Sequence, residues 1–342
     1  MTERIFILGS NSFAGRQCVM HFLAQGGQVF GTSRSDLPPL YAFEDGSRNQ
    51  YSGQDFGKRL LEYRANNFRR FDINSDLPAL TAWIHAIRPN VILDFAGQGM
   101  VAESWSNPSL WYRTNFLSKV HLHDWLSRVD WLDRYVRAST PEVYGSTKLA
   151  VTEDAPHKPS TPYAVSHSAI DMSILAYHQR YGFPAIITRF ANFYGPGQQL
   201  YRIIPRAFLY GLLGKKLALH GAGSTQRAFI YGQDIALATE RTLTAGRLGA
   251  TYHFASGELI SIAQLVRMIC QRLKIDFHDF CEVAPDRPSK DLVYEMNCNL
   301  ASEELQWRPK VDLELGLDFV EVWIRKHLEV LREQPLEYLH KE

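Results

Sequence analysis

Arg4-Ile5-Phe6-Ile7-Leu8-Gly9-Ser10-Asn11-Ser12-Phe13-Ala14-Gly15 is an apolar run that stops on a glycine, crosses small polar residues and restarts at a second glycine. A short apolar run bounded by a glycine predicts a buried strand over Arg4–Leu8. The segment from about 15 to 25 predicts a helix, and Gly26-Gly27 ends it. A strand that feeds a helix through such a turn is the repeating unit of a parallel sheet. The same turn suits a dinucleotide. It must be tight, its backbone must approach a pyrophosphate, and the helix N-terminus supplies N–H groups and the positive end of a dipole. Gly9, Ser12, Phe13 and Gly15 are therefore candidate cofactor-binding residues.

Working outward, strands are predicted at 28–32, 68–73, 91–95, 134–139 and 185–189, and helices at 77–87, 111–129 and 163–181. This alternation implies an α/β protein with a doubly wound parallel sheet covered on both faces. The stretch 35–67 is polar, carries Pro38-Pro39, and reads as a long irregular excursion. After Asn192 the texture changes, starting with Gly195-Pro196-Gly197. A helix over 231–245 is placed to return to the first lobe, and 260–273 and 313–328 read as amphipathic helices. The expected organisation is a dinucleotide-binding domain over 1–190, with about 231–250 returning to it. A smaller, partly discontinuous C-terminal substrate lobe takes 191–230 and 251–342. Ligand is expected between the lobes, at the C-terminal ends of the strands.

The chain has 342 residues, 45% of them hydrophobic and 21% charged, which is ordinary for a globular protein. Its net charge of +1 gives no bulk reason to expect nucleic acid or an anionic membrane. The four cysteines show no Cys-x-x-Cys spacing, so reduced thiols are expected and no metal site. No charged leader with a long apolar run opens the sequence, and no run approaches the roughly 20 residues that span a bilayer. The expectation is a soluble, cytoplasmic protein.

Two clusters carry chemistry. Tyr163-Ala164-Val165-Ser166-His167 follows a proline and opens a helix, where residues four apart share a face, so the Tyr163 phenol and the His167 imidazole lie together. Ser139-Thr140-Pro141-Glu142-Val143-Tyr144-Gly145 sets a hydroxyl and a carboxylate side by side at a strand end. The second strand ends in Ser33-Arg34. An acidic residue there would favour NAD, whereas Ser33 and Arg34 suit the 2′-phosphate of NADP. Small residues around Phe95 and Ala96, after the fourth strand, leave room for a cofactor to pass.

These motifs, with Arg189-Phe190-Ala191-Asn192-Phe193-Tyr194-Gly195-Pro196-Gly197-Gln198, Arg227-Ala228-Phe229-Ile230-Tyr231 and Asp286-Arg287-Pro288, come in the order found in nucleotide-sugar enzymes. The chain resembles the extended short-chain dehydrogenase/reductases of the NAD-dependent epimerase/dehydratase family, and most of all the NDP-hexose 4,6-dehydratases of the dTDP-glucose and GDP-mannose types. The resemblance implies a Rossmann-like fold and a tightly held NAD or NADP that is regenerated within each turnover. It implies that Tyr163 takes the proton of the sugar 4-hydroxyl, that Thr140 bonds the same oxygen, and that Glu142 removes the C5 proton before water leaves across C5/C6. It places Asp72 and Ile73 near the adenine. Asn192, Arg202, Arg227 and Arg287 fall at the diphosphate, Leu219 at the base, and Gln98 and Glu103 at the sugar. It also implies a homodimer, paired through the helices at 111–129 and 163–181.

Besides Met100, where the family usually has histidine, three positions depart from the family pattern. Ser12 replaces the middle glycine of the turn, and Pro141 replaces an acid found in the dTDP-glucose type. His167 replaces a lysine that holds the nicotinamide ribose and lowers the tyrosine pKa. A neutral imidazole carries no charge, so Tyr163 is expected to be a weak base at neutral pH unless His167 is protonated. An NDP-sugar 4-epimerase or a UDP-glucuronate decarboxylase-like enzyme is the alternative within the fold. A catalytically impaired NAD(P)-binding sensor or scaffold is the alternative of another class.

Overall fold

Strands buried on both faces need helices on both sides, and the computed structural model, which describes residues 3–46, 54–147, 149–285 and 295–338, builds that arrangement. The strands are β1 (Arg4–Leu8), β2 (Gln28–Ser33), β3 (Phe68–Arg70), β4 (Val91–Asp94), β5 (Arg134–Ser139) and β6 (Ala185–Phe190). With Thr251–Phe254 they form one seven-stranded sheet whose pairs are all parallel. Its order is β3-β2-β1-β4-β5-β6 followed by Thr251–Phe254. The order reverses between β1 and β4. A crevice therefore opens where the loops after these two strands diverge.

The helices are α1 (Phe13–Ala24), α2 (Gln54–Glu62), α3 (Leu77–Ile87), α4 (Pro108–Tyr112), α5 (Ser118–Leu126), α6 (Pro162–Tyr181), α7 (Ile203–Leu212), α8 (Gly232–Ala245) and α9 (Ile262–Leu273). α8 packs against α1 on one face of the sheet, while α3, α5 and α6 cover the other. A further cluster gathers Phe208, Leu209, Leu265, Ile269 and Trp323 from α7, α9 and the helix Leu313–Lys326. Among the described residues, no helix is long and apolar enough to cross a membrane.

Four sequence expectations change here. The stretch read as irregular holds a 3-10 turn at Leu40–Phe43, α2, and a wide π turn at Tyr63–Asn67. Its polar composition hid Leu60 and Tyr63, which are buried in the core beside α1. β3 ends at Arg70 because Asp72 enters a side-chain-bonded turn. Its amide donates to Asp76 Oδ2 at 2.8 Å, and its Oδ1 accepts the Asn74 N–H at 2.8 Å. The helix expected over 111–129 begins at Pro108 and ends at Leu126, with a π turn at Arg113–Leu117 between α4 and α5. Thr251–Phe254 falls in the stretch expected in the second lobe. It instead extends the main sheet beside β6, and Ala301, Leu305 and Trp307 pack into the same core.

Candidate active site

The turn after β1 is shaped by close approach. Gly9 sits at φ +72, and a methyl added there would lie 2.6 Å from the Ala96 amide nitrogen. A methyl on Gly15 would lie 2.3 Å from the Gly9 carbonyl oxygen. Ser12, where the family has glycine, caps α1: its Oγ accepts the Gly15 N–H at 3.0 Å. Among the described residues, the first-turn amides of Phe13 and Ala14 find no acceptor within the chain. Two open N–H groups at a helix N-terminus, with glycines holding the neighbouring strand close, fit a dinucleotide pyrophosphate.

The other expected cofactor residues lie at or just after the C-terminal ends of β2, β3 and β4. The Ser33 Oγ accepts the Asn11 N–H at 3.0 Å, which ties β2 to the turn. Arg34 Nη2 donates to Gln98 Oε1 at 3.3 Å, across the mouth of the switch point. Ile73 is buried, and the Asp72 carboxylate is committed to its own turn. Phe95 donates its N–H to the Leu8 carbonyl at 2.9 Å, and Ala96 lies against Gly9.

At the end of β5, Thr140 caps a 3-10 turn over Pro141–Tyr144, with its Oγ1 accepting the Glu142 N–H at 3.3 Å. The turn closes on Gly145 at φ +67, where a methyl would lie 2.4 Å from the Lys158 carbonyl oxygen. Pro141 is buried and supplies the first residue of the turn. α6 opens one residue after Thr161, whose Oγ1 accepts the Ala164 N–H at 3.2 Å. Ser104 accepts the Tyr163 N–H at 3.2 Å. The turn that holds Thr140 and Glu142 packs against the start of α6, close enough for both residues to shift the Tyr163 phenol. Burial and then Glu142 push the Tyr163 phenol up, while the Thr140 hydrogen bond and the charges of Arg202 and Arg137 pull it down.

His167 stacks near Tyr163, with ring centroids 4.5 Å apart. It is buried, and its Nδ1 accepts from Arg137 Nη2 at 3.1 Å. Burial, then the Arg137 charge, push His167 down to about 3. The sequence left open whether His167 is protonated; beside a guanidinium, in a low-dielectric site, the neutral imidazole is favoured, which leaves the weak-base expectation for Tyr163 standing.

The substrate-side residues are less uniformly placed. Gln98 is buried; Asn115 accepts its N–H at 2.7 Å and donates to its carbonyl at 3.0 Å. Glu103 lies on a 3-10 turn, Ala102–Trp105, beside Ser104. Met100, between them, holds a left-handed φ of +67, which a non-glycine residue rarely adopts. Arg202 opens α7 near Gly99, with its guanidinium over the Tyr201 ring. Asn192 pairs with Phe229 in a short parallel ladder, and Arg227 pairs with Ile260. The Leu219 side chain is buried in the second core cluster, so what its segment offers a ligand is backbone. Arg287 lies outside the described residues.

Several residues around Tyr163 escaped the sequence reading. Asn115 donates to Ser166 Oγ at 3.0 Å as well as to Gln98, which clamps the loop after β4 onto α6. Arg137 lies beneath both. Its Nε donates to Asp171 Oδ1 at 3.1 Å and its Nη1 to Asp94 Oδ2 at 3.4 Å. Asp94 is paired with Lys119 and accepts from Tyr135 at 2.8 Å. Asp171 also accepts from Ser139 at 2.6 Å and from Arg189 at 3.1 Å. The signal for this network was charge inside strands that the alternation had already marked as buried on both faces.

A family model described as GDP-mannose 4,6 dehydratase matches residues 6–319. The chain is 29% identical over 328 residues to the dTDP-glucose 4,6-dehydratase of Streptomyces griseus, covering 96% of this chain and 95% of that one. It is 33% identical over 242 residues to that of Mycobacterium tuberculosis, covering 69% and 72%. Among solved structures, the dTDP-glucose 4,6-dehydratase of Streptomyces venezuelae with NAD bound superposes with a TM-score of 0.82 at 27% identity, covering 96% of this chain and 98% of that one.

Proposed function

Because the chain belongs to the GDP-mannose 4,6-dehydratase family, we propose that it removes water across C5 and C6 of a nucleotide-diphosphate hexose. The observation that carries this reading is the packing of the turn that holds Thr140 and Glu142 against the start of α6, which holds Tyr163. A nicotinamide bound at the β1 turn would supply reversible hydride chemistry between C4 and C6 of the sugar. Tyr163, as its phenolate, accepts the 4-hydroxyl proton, and Thr140 steadies that oxygen. The resulting 4-ketone makes the C5 proton acidic. Glu142 takes it and passes a proton to the 6-hydroxyl, which departs as water. Asn192, Arg202, Arg227 and Arg287 are assigned to the diphosphate, since guanidinium forks match its geometry. Gln98 and Glu103 are assigned to the sugar, and the segment of Leu219 to the base.

The cofactor is read as NAD or NADP. The Streptomyces venezuelae relative was solved with NAD, while Ser33 and Arg34 in place of a carboxylate favour NADP. Comparing the two affinities tests this: tighter NAD binding removes the lean toward NADP. A homodimer is also proposed, because the outer surfaces of neighbouring segments leave Tyr112, Leu117, Val165 and Met172 exposed.

The test is incubation with dTDP-, UDP-, GDP- and CDP-hexoses in deuterated water, followed by mass spectrometry. Loss of one water with deuterium gained at C5 is the expected result. Loss of carbon dioxide from a uronate, inversion at C4 without loss of water, or an unchanged panel would each overturn it.

A further inference from the structure

The structure shows what stands behind the His167 imidazole. A guanidinium carries only donors and keeps its proton throughout the range in which proteins fold. Arg137 Nη2 lies 3.1 Å from His167 Nδ1. Nδ1 must therefore present its lone pair, and a neutral ring then carries its proton on Nε2. The Arg137 guanidinium is fixed on its other edges by Asp171 and Asp94, and all three side chains are 1% exposed or less. This buried set counts Asp94 and Asp171 against Lys119, Arg137 and Arg189, each no more than 2% exposed. Two carboxylates against three cations leave one positive charge in surplus.

We propose that Arg137 is a positioning residue that orients His167 as an Nε2–H donor and supplies the fixed positive charge near the Tyr163 phenol. The donor and the charge sit on two side chains, one on α6 and one on β5. This rests on Tyr163 being the base of the proposed reaction, although the imidazole half is measurable without any turnover. Asp94, Lys119 and Asp171 face His167 from β4, α5 and its own helix; Glu142 and Arg202 face Tyr163.

The first test is nitrogen-15 NMR of histidine-labelled protein, with the His167 signals identified by their loss in His167→Gln. The expected result is a single neutral Nε2–H tautomer that does not titrate between about pH 5 and 9. A Nδ1–H tautomer, or a midpoint near 6.5, would overturn the inference whether or not any sugar turns over. The second test is kinetic. His167→Lys sets an ammonium against the guanidinium and is expected to lower kcat about tenfold or more, and Arg137→Met in the same chain restores most of that loss. Arg137→Met alone is expected to raise the acid-side midpoint of kcat/KM by about a unit. Arg137→Lys, which keeps the charge and guards against misfolding, leaves that midpoint in place. A purely structural Arg137 would lower the melting temperature and leave every midpoint unmoved, which would sink the proposal. An active wild type whose His167→Lys variant is equally fast would sink it as well. A wild type with no turnover but the predicted imidazole signals would count against the dehydratase reading alone.

Discussion

In the proposed reaction, Glu142 is the side chain whose chemistry separates dehydration from simple oxidation and reduction at C4. Glutamine fills the same volume and cannot take a proton. Glu142→Gln is therefore expected to slow loss of water by about 10² to 10⁴. Oxidation at C4 should persist, seen as nicotinamide absorbance that rises when substrate is added and then stalls. Dehydration at an unchanged rate would remove Glu142 from the mechanism. That Thr140 and Glu142 share one turn, and Tyr163 and His167 one helix face, was legible because each pair is close along the chain and strand-end or helical geometry brings it together. Arg137 was not, because its partners lie elsewhere: Asp171 is 34 residues away and Asp94 is 43. Nothing local says where a buried guanidinium points, and the meaning of His167 changed once Arg137 was found against its Nδ1.

At the scale of elements, α1 tests how a family position can change residue and keep its task. Ser12 replaces a glycine and ends up as a cap whose Oγ accepts the Gly15 N–H. Ser12→Ala is expected to lower stability by about 1 kcal/mol, and Ser12→Gly by only a few tenths, read from urea midpoints. If both variants cost the same, the cap contributes nothing and the serine is there for another reason. The strand–turn–helix itself was readable, because a buried strand and a glycine turn leave strong local marks. α2 was hidden because its few buried positions, such as Leu60, sit among charged neighbours. The π turn at Arg113–Leu117 carries no local mark of its own, and the strand Thr251–Phe254 is short enough to pass for a loop.

On the scale of the molecule, a sheet buried on both faces that also holds charged and imidazole groups ties stability to pH. His123, His167 and His253 are each pushed down to about 3, with burial the largest cause. In the unfolded chain each titrates near 6.5. Between about pH 6.5 and 3 the unfolded state binds more protons than the folded one, so folding free energy falls as pH falls through that window and is fully present above it. Each group contributes up to 1.36 kcal/mol per pH unit there, and three together about 4. Asp94 and Asp171 are held below the usual carboxylate range by Lys119, Arg137 and Arg189, against the opposing effect of burial. Their loss joins only below about pH 4. The urea midpoint is thus expected to hold steady from pH 8 to 7 and to fall steeply from about 6 to 4. Replacing His123, which bonds Tyr135 rather than the site, with glutamine should flatten that fall by about a third without moving the acid-side midpoint of turnover. A midpoint as high at pH 5 as at pH 7 would show that the buried imidazoles gain protons in the folded state. The neutral His167 on which the division of labour with Arg137 depends would then be lost with them.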